Sequence, residues 1–268
     1  VYRLDVGVVG AGRLGSAIIK GLINGGVEPS SIYVYDVSPE AIKRIEKLGV
    51  RICKNVEDLA HAKPRTVIVA VKPADLLNVV KELRTVLTGD TVLVSVAAFI
   101  SLRDIENIVG GVRIYRAMPN IAVEVNKGFI AVAPPERWDQ EIDSLFRFLG
   151  EVVWVKEEVL DLLTFVSAST PAVVAELLDV FVLVALKMGV PYDLAKKAAV
   201  QVFQGVGKLA ELKDVSMIRD SVITPRGVTI NLVEKLYTYE AKGRLVKALI
   251  DAGEEYLARI EKIRSKGV

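Results

Sequence analysis

Cysteine and histidine are almost missing from this chain: Cys53 and His61 are the only residues of their kinds among 268. A lone thiol cannot close an intrachain disulfide, so a reducing, cytoplasmic setting is the expectation. One Cys and one His also give a structural zinc site no ligand set, and no metal is expected. Neither sign of charge is in excess, with 35 Lys+Arg against 33 Asp+Glu and a net charge of +2. That balance provides no electrostatic footprint for nucleic acid, and none is expected as a partner. Long unbroken apolar runs are absent too, although the mean hydropathy of +0.38 is high. The most apolar stretch, Pro171–Val190, is interrupted by Glu176, Asp179 and Lys187. A membrane-spanning helix needs about 18 consecutive apolar residues, so a helix buried between domains or subunits is the better reading, with no membrane partner. The chain starts at Val1 rather than Met, which suggests residues ahead of it, and runs into a strand with no secretory pattern.

What is present in the first half is alternation. Apolar, β-branched runs at Leu4–Val9, Ile32–Tyr35, Thr66–Val71 and Val92–Val96 predict strands. Amphipathic stretches at Arg13–Gly25, Pro39–Leu48 and Ala74–Leu87 predict the helices between them. Strands this apolar, separated by helices, imply a mostly parallel sheet covered on both faces. Arg113–Arg116, Gly128–Val132 and Val152–Val155 are further strand candidates, and Pro134–Leu149 reads as another helix. Beyond about Glu157 only helical patterns remain, broken at 189–191, 214–216 and 224–227, with a last helix over Gly243–Lys266 ending in a charged, solvated tail. The expected organisation is an α/β domain over residues 1–157 and an all-α domain over 158–268. The second domain is more apolar than a lone small bundle requires, which predicts a subunit interface.

Gly10-Ala11-Gly12-Arg13-Leu14-Gly15 matches G-x-G-x-x-G, follows a strand and opens a helix. In that context each glycine has a task. Gly10 makes the tight turn, Gly12 lets backbone approach a pyrophosphate, and Gly15 lets helix and strand close up. The N-terminus of the helix at Arg13 and Leu14 offers unpaired N–H groups to phosphate. Asp36 lies at the end of the second strand, roughly twenty residues on, where a carboxylate accepts bonds from the adenosine ribose and repels a 2′-phosphate. A Rossmann-type domain holding NADH or NADPH is expected, with NADH favoured by Asp36. Ser38, Lys43 and Arg44 stand against that preference, being able to receive a phosphate if their loop turns inward. Val71, Lys72 and Pro73, at the end of a parallel strand, are placed to border the nicotinamide ribose.

Several segments together resemble the pyrroline-5-carboxylate reductase family. The opening GVVGAGRLGSAIIKGLINGG is similar to that family's start, and AVKPAD at 70–75 to its A-V-K-P run. Arg116-Ala117-Met118-Pro119-Asn120 resembles R-x-M-P-N. Residues Asp161–Ala172 resemble D-x-x-T-x-x-S-G-S-G-P-A, and Ile223–Ile230 resemble S-P-G-G-T-T-I. The likeness covers nearly the whole chain. It implies a C-terminal dimerisation domain, dimers that many members build into rings, and a cyclic imino acid as substrate. Position by position it places Thr229 near the pyrroline nitrogen as the catalytic hydroxyl. The Arg226-Gly227-Val228-Thr229 backbone falls around the substrate carboxylate, with Ser167 and Ser169 beside the pocket. Ala97 and Asn120 fall at the nicotinamide and Asn55 at the adenosine part. The sequence departs from the family at Ala168 and Thr170, which replace glycines, at Arg226, which replaces another, and at Asp179, where Glu is usual. Arg226 either strains or narrows the turn, offers a guanidinium to a carboxylate, or faces solvent.

Hydride transfer to a cyclic imine suits a chain whose single histidine lies outside every motif. A protonated C=N is already electrophilic, and the cofactor carries the reducing power. The expected activity is NAD(P)H-dependent reduction of 1-pyrroline-5-carboxylate to L-proline. Alternatives are a reductase for another cyclic imine, a β-hydroxyacid-dehydrogenase-like enzyme, and a dinucleotide-binding sensor without catalysis. The second alternative needs a catalytic lysine, for which Lys187 and Lys208 lack the G-x-x-x-K-x-x-N setting.

Overall fold

The computed structural model describes residues 4–85 and 87–265. Their strands are β1 (Val6–Val9), β2 (Ile32–Tyr35), β3 (Arg51–Ile52), β4 (Thr66–Val69), β5 (Val92–Ser95), β6 (Arg113–Pro119), β7 (Gly128–Ala133) and β8 (Gly150–Trp154). They form one sheet in the order β3-β2-β1-β4-β5-β6-β7-β8. Every neighbouring pair is parallel except β6 and β7. The first unit's helices are α1 (Arg13–Asn24), α2 (Pro39–Ile45), α3 (Val56–Ala62), α4 (Pro73–Leu83), α5 (Leu102–Glu106), α6 (Gln140–Arg147) and α7 (Glu157–Leu163).

Strand alternation sorts the core into two layers. Val6, Val8, Ile68, Val92 and Val94 pack with Ile18, Ile19 and Phe146 on one side. The residues between them, Val67, Val69 and Leu93, pack with Leu76, Val80, Leu83 and Ile105 on the other. Near-continuous apolar runs are thus buried on both faces, as a helix-covered parallel sheet demands.

The differences from the sequence reading lie at element ends and in short elements. The run through Val71 pairs only to Val69, because the chain turns at Lys72-Pro73 to start α4, which stops at Leu83 rather than Leu87. The helix expected over Pro134–Leu149 is a 3-10 turn at Pro135–Arg137 followed by α6. Asp139 caps α6 by accepting from Glu141 N–H (2.9 Å) and Ile142 N–H (3.3 Å). β3, α3 and α5 were not anticipated; they span two, seven and five residues, too short for periodicity to register.

The chain divides into two compact units, 1–171 with 260–268, and Ala172–Arg259. The first unit thus runs past the division expected at 157/158. Leu160 packs among Met118, Ala131 and Ala133, which holds α7 to the sheet. A π-helical turn, Thr164–Ser169, joins α7 to α8 (Pro171–Lys187).

The second unit continues with α9 (Tyr192–Ala210), α10 (Val215–Ser221), α11 (Val228–Thr238) and most of α12 (Ala241–Ser265). The last helix, expected from Gly243, starts two residues earlier at Ala241, and Glu240, with a φ of 54°, makes the break from α11. This unit's own core is small: Val182, Ala195 and Ala199, with Leu178, Ala185 and Val190 against them. Along α8, Val180, Phe181, Leu183 and Val184 are each about half exposed. The continuous helical stretch Glu157–Lys187 is long and apolar enough to cross a membrane by length and composition. Its first turns are nonetheless committed to the sheet, through Leu160 and Asp161.

Candidate active site

Six strand ends along one edge of the sheet carry the cofactor candidates. Because β3, β2, β1, β4, β5 and β6 run parallel, Asn55, Asp36, the glycine loop, Val71–Pro73, Ala97 and Asn120 all follow carboxyl ends. The connections diverge between β1 and β4, the switch point at which open α/β sheets bind ligands.

The glycine loop meets its steric requirements there. Gly10 has a φ of 98°, and a Cβ on it would sit 2.7 Å from the Ala70 carbonyl oxygen. A Cβ on Gly15 would lie 1.9 Å from the Gly10 carbonyl oxygen, whereas one on Gly12 would meet open space. The loop therefore closes tightly on the β4 side and stays open where a pyrophosphate approaches. Gly12 is the N-cap of α1 and supplies no side chain to its free N–H groups, leaving them to a ligand. Asp36 Oδ2 accepts from Ala11 N–H (2.6 Å) and Oδ1 from Ser38 N–H (2.7 Å). The ribose-binding candidate thus also straps the loop to the end of β2. Ser38 caps α2 by accepting from Ala41 N–H (3.3 Å), and Lys43 and Arg44 are exposed in that helix's last turn. These residues fit a dinucleotide: the cradle a Cβ would fill is kept open by glycine.

Other candidates are occupied by local duties. Asn55 caps α3, its Oδ1 accepting from Asp58 N–H (2.7 Å). Asn120 Oδ1 accepts from Ala122 N–H (3.2 Å) and Phe129 N–H (3.4 Å), holding the exit of β6. Ala97 is buried, its N–H donating to Ser95 Oγ (3.3 Å), while Lys72 is exposed at the start of α4. His61 is exposed in the last turn of α3.

The substrate candidates fall in both units. Within the first, Ser167 Oγ donates to the Leu163 carbonyl (2.7 Å), Thr164 Oγ1 to that of Leu160 (2.8 Å), and Thr170 Oγ1 to that of Val166. A π turn bonds each carbonyl to the N–H five residues on, and Val166 faces Pro171, which has none. Thr170 supplies the missing donor, which gives its departure from glycine a physical reason. Ser169 is exposed.

Within the second unit, Thr224-Pro225-Arg226-Gly227 forms a turn closed by Gly227 N–H to the Thr224 carbonyl (3.0 Å). Arg226 takes a φ of 61°, the left-handed geometry usual for glycine at this place in such a turn. Of the readings open for Arg226, backbone strain is therefore present, and its side chain is exposed. Gly227 caps α11 with no side chain, and a Cβ there would fall 2.2 Å from Thr224 Oγ1. Val228 and Thr229 form the first turn of α11.

Sequence reasoning missed one cluster. Arg116, 1% exposed on β6, donates through its two terminal nitrogens to Glu157 (2.8 Å) and Asp161 (3.0 Å), one turn apart on α7. Arg264, expected in a solvated tail, pairs with the other Asp161 oxygen at 2.5 Å. Arg116 and Asp161 sit inside recognisable motifs, but their distance from Arg264 in sequence left no periodic signal of the pairing.

Residues 157–258 match the family model for pyrroline-5-carboxylate reductase dimerisation, and residues 5–99 match that for NADP oxidoreductase, coenzyme F420-dependent. The chain is 31% identical over 256 residues to the pyrroline-5-carboxylate reductase of Pisum sativum, covering 93% of each chain. It is 31% identical over 268 residues to that of Escherichia coli strain K12, covering 96% of this chain and 97% of the relative. Its fold superposes with a TM-score of 0.83 on a Plasmodium falciparum pyrroline carboxylate reductase solved with NADP bound, at 22% identity over 95% of this chain and 97% of that one. With two relatives above 30% identity over almost their whole length, this chain belongs to the pyrroline-5-carboxylate reductase family.

Proposed function

We propose that this protein reduces 1-pyrroline-5-carboxylate to L-proline at the expense of a reduced nicotinamide dinucleotide. The observation that carries the reading is its full-length likeness to relatives named for that enzyme. The glycine cradle, uncapped α1 and Asp36 at one sheet edge agree with it. When bound, the reduced nicotinamide supplies the hydride. The chain's part is to hold the imine carbon against it and to bind the substrate's charged groups.

For that part we assign the Arg226–Thr229 backbone, at the start of α11, to the substrate carboxylate. The Arg226 guanidinium stands ready as a second donor. The Thr229 hydroxyl orients the ring nitrogen and relays its proton, and Ser167 and Ser169 border the pocket. Asp36 favours NADH, because its carboxylate stands where a 2′-phosphate would meet like charge. A similar reductase from Plasmodium falciparum was solved with NADP bound, so the preference calls for a direct test. A second copy covers the apolar face of α8, and the whole works in the cytoplasm, where a reduced Cys53 and a nicotinamide pool coexist.

The test is a steady-state assay on pyrroline-5-carboxylate with NADH and NADPH side by side, repeated with Thr229→Val. Turnover with a higher kcat/KM for NADH is expected. The variant should lose about two orders of magnitude in kcat with cofactor affinity unchanged. Tight cofactor binding without turnover on any imine would favour a sensor instead.

A further inference from the structure

Arg116 is the most buried charge among the described residues, and nothing in the proposed reaction uses it. It lies mid-strand on β6, so Arg116 and Met118 project to one face, and Asn120 follows one residue past the strand's end. On that face α7 presents Glu157 and Asp161, and each takes one arm of the guanidinium fork. Arg264 joins the set at the far oxygen of Asp161. The two cations and two carboxylates offset one another, which lowers the cost of keeping such charge away from water. Glu157 Oε1 also accepts from Leu102 N–H (2.8 Å), the first residue of α5, just behind the Ala97 segment. The Arg116 Nε–H is buried without a hydrogen-bond partner, so the guanidinium is aimed by its two carboxylates alone.

We propose that the Arg116–Glu157–Asp161–Arg264 network is a positioning device that fixes the exits of β5 and β6, and with them Ala97 and Asn120, against the nicotinamide end of the cofactor. A single carboxylate, Glu157, ties the two segments together: through Leu102 it holds the start of α5, which follows β5 and Ala97, and through Arg116 the middle of β6, ahead of Asn120. The adenosine end is held separately, by the glycine loop and Asp36. Disturbing the network therefore changes how the nicotinamide is placed and leaves the affinity of the dinucleotide as it was. The proposal rests on the reductase reading for where the nicotinamide lies.

Glu157→Gln tests it, since glutamine keeps the size and an acceptor for Leu102 N–H while removing the charge. Arg264→Gln approaches the same network from its solvent-reached end and guards against a variant that does not fold. NADH affinity, the emission of bound NADH, kcat, KM for the imine and Tm are measured on the full chain. The expected result for Glu157→Gln is a fall in kcat of at least about tenfold, a shifted emission of bound NADH, and NADH affinity within about twofold. Arg264→Gln should move the same quantities in the same direction by less. A lowered Tm with kcat and emission unchanged in both variants overturns the proposal and leaves the network purely structural. If the parent enzyme reduces no imine, the reading of the substrate fails, while emission and affinity still judge the positioning.

Discussion

At Arg226 the chain keeps a bulky residue where its backbone asks for glycine. A left-handed conformation costs an L-residue about 1–2 kcal/mol, and Arg226 holds one at a φ of 61°. Such outliers persist where the surroundings require them, often at functional sites. Arg226→Gly should raise Tm, since it removes this strain at a turn already closed by Gly227 and Thr224. If the guanidinium serves the substrate carboxylate, the same variant raises KM for the imine several-fold. Calorimetry and initial-rate kinetics read the two effects separately. The residues of the glycine loop were legible at once, because a strand, three glycines and a distant acid form a pattern with a mechanism. The strain at Arg226 could be posed from sequence as one of three alternatives, but only a dihedral angle could select it.

Elements were legible in proportion to their length. α1, α4 and the buried strands carry enough turns or alternation to register, while α3, α5 and β3 depend on single caps and pairings. The π turn before α8 is more informative than its length suggests. Thr170→Val deletes the hydroxyl that serves the Val166 carbonyl, and should cost about 1 kcal/mol of stability, with Thr170→Ser retaining most of it. Chemical denaturation of the two variants checks this. Between α6 and β8, Asp143 accepts from Arg147 Nε (2.6 Å) and Trp154 Nε1 (2.9 Å). Burial alone would raise its carboxyl, and these bonds outweigh burial and hold it below the ordinary value of 3.8. A carboxyl depressed on folding stabilises above its unfolded pKa, and the contribution disappears as pH falls through the folded value. Unfolding free energy should therefore drop with acid below about pH 4. Asp143→Asn should flatten that portion of the curve in pH-dependent denaturation.

For the molecule as a whole, the second unit cannot be understood from one copy. Its internal core is a handful of side chains, while Val180, Leu183 and Val184 line an exposed stripe on α8. Exposed apolar surface of this kind marks an interaction site, and the dimerisation model that matches residues 157–258 covers the same helix. Leu183→Asp should convert the protein to a monomer in analytical ultracentrifugation, with a Tm that no longer rises with protein concentration. The sequence showed the excess of apolar residues, and with it the need for a partner surface. The Arg116 network remained hidden because strand, helix and chain end meet only in the folded first unit.

The tight fit of Gly15 against the Gly10 carbonyl has a practical consequence for redesign. With 1.9 Å between that oxygen and any added Cβ, the loop has no freedom to absorb substitutions at position 15. Cofactor preference must then be altered from the β2 side. Because Asp36 also tethers Ala11, replacing it with an apolar residue loosens the glycine loop along with removing the charge proposed to favour NADH. A library that holds positions 10 and 15 constant and varies 36 together with 38, 43 and 44 would explore that exchange without spending variants on chains unable to close the loop.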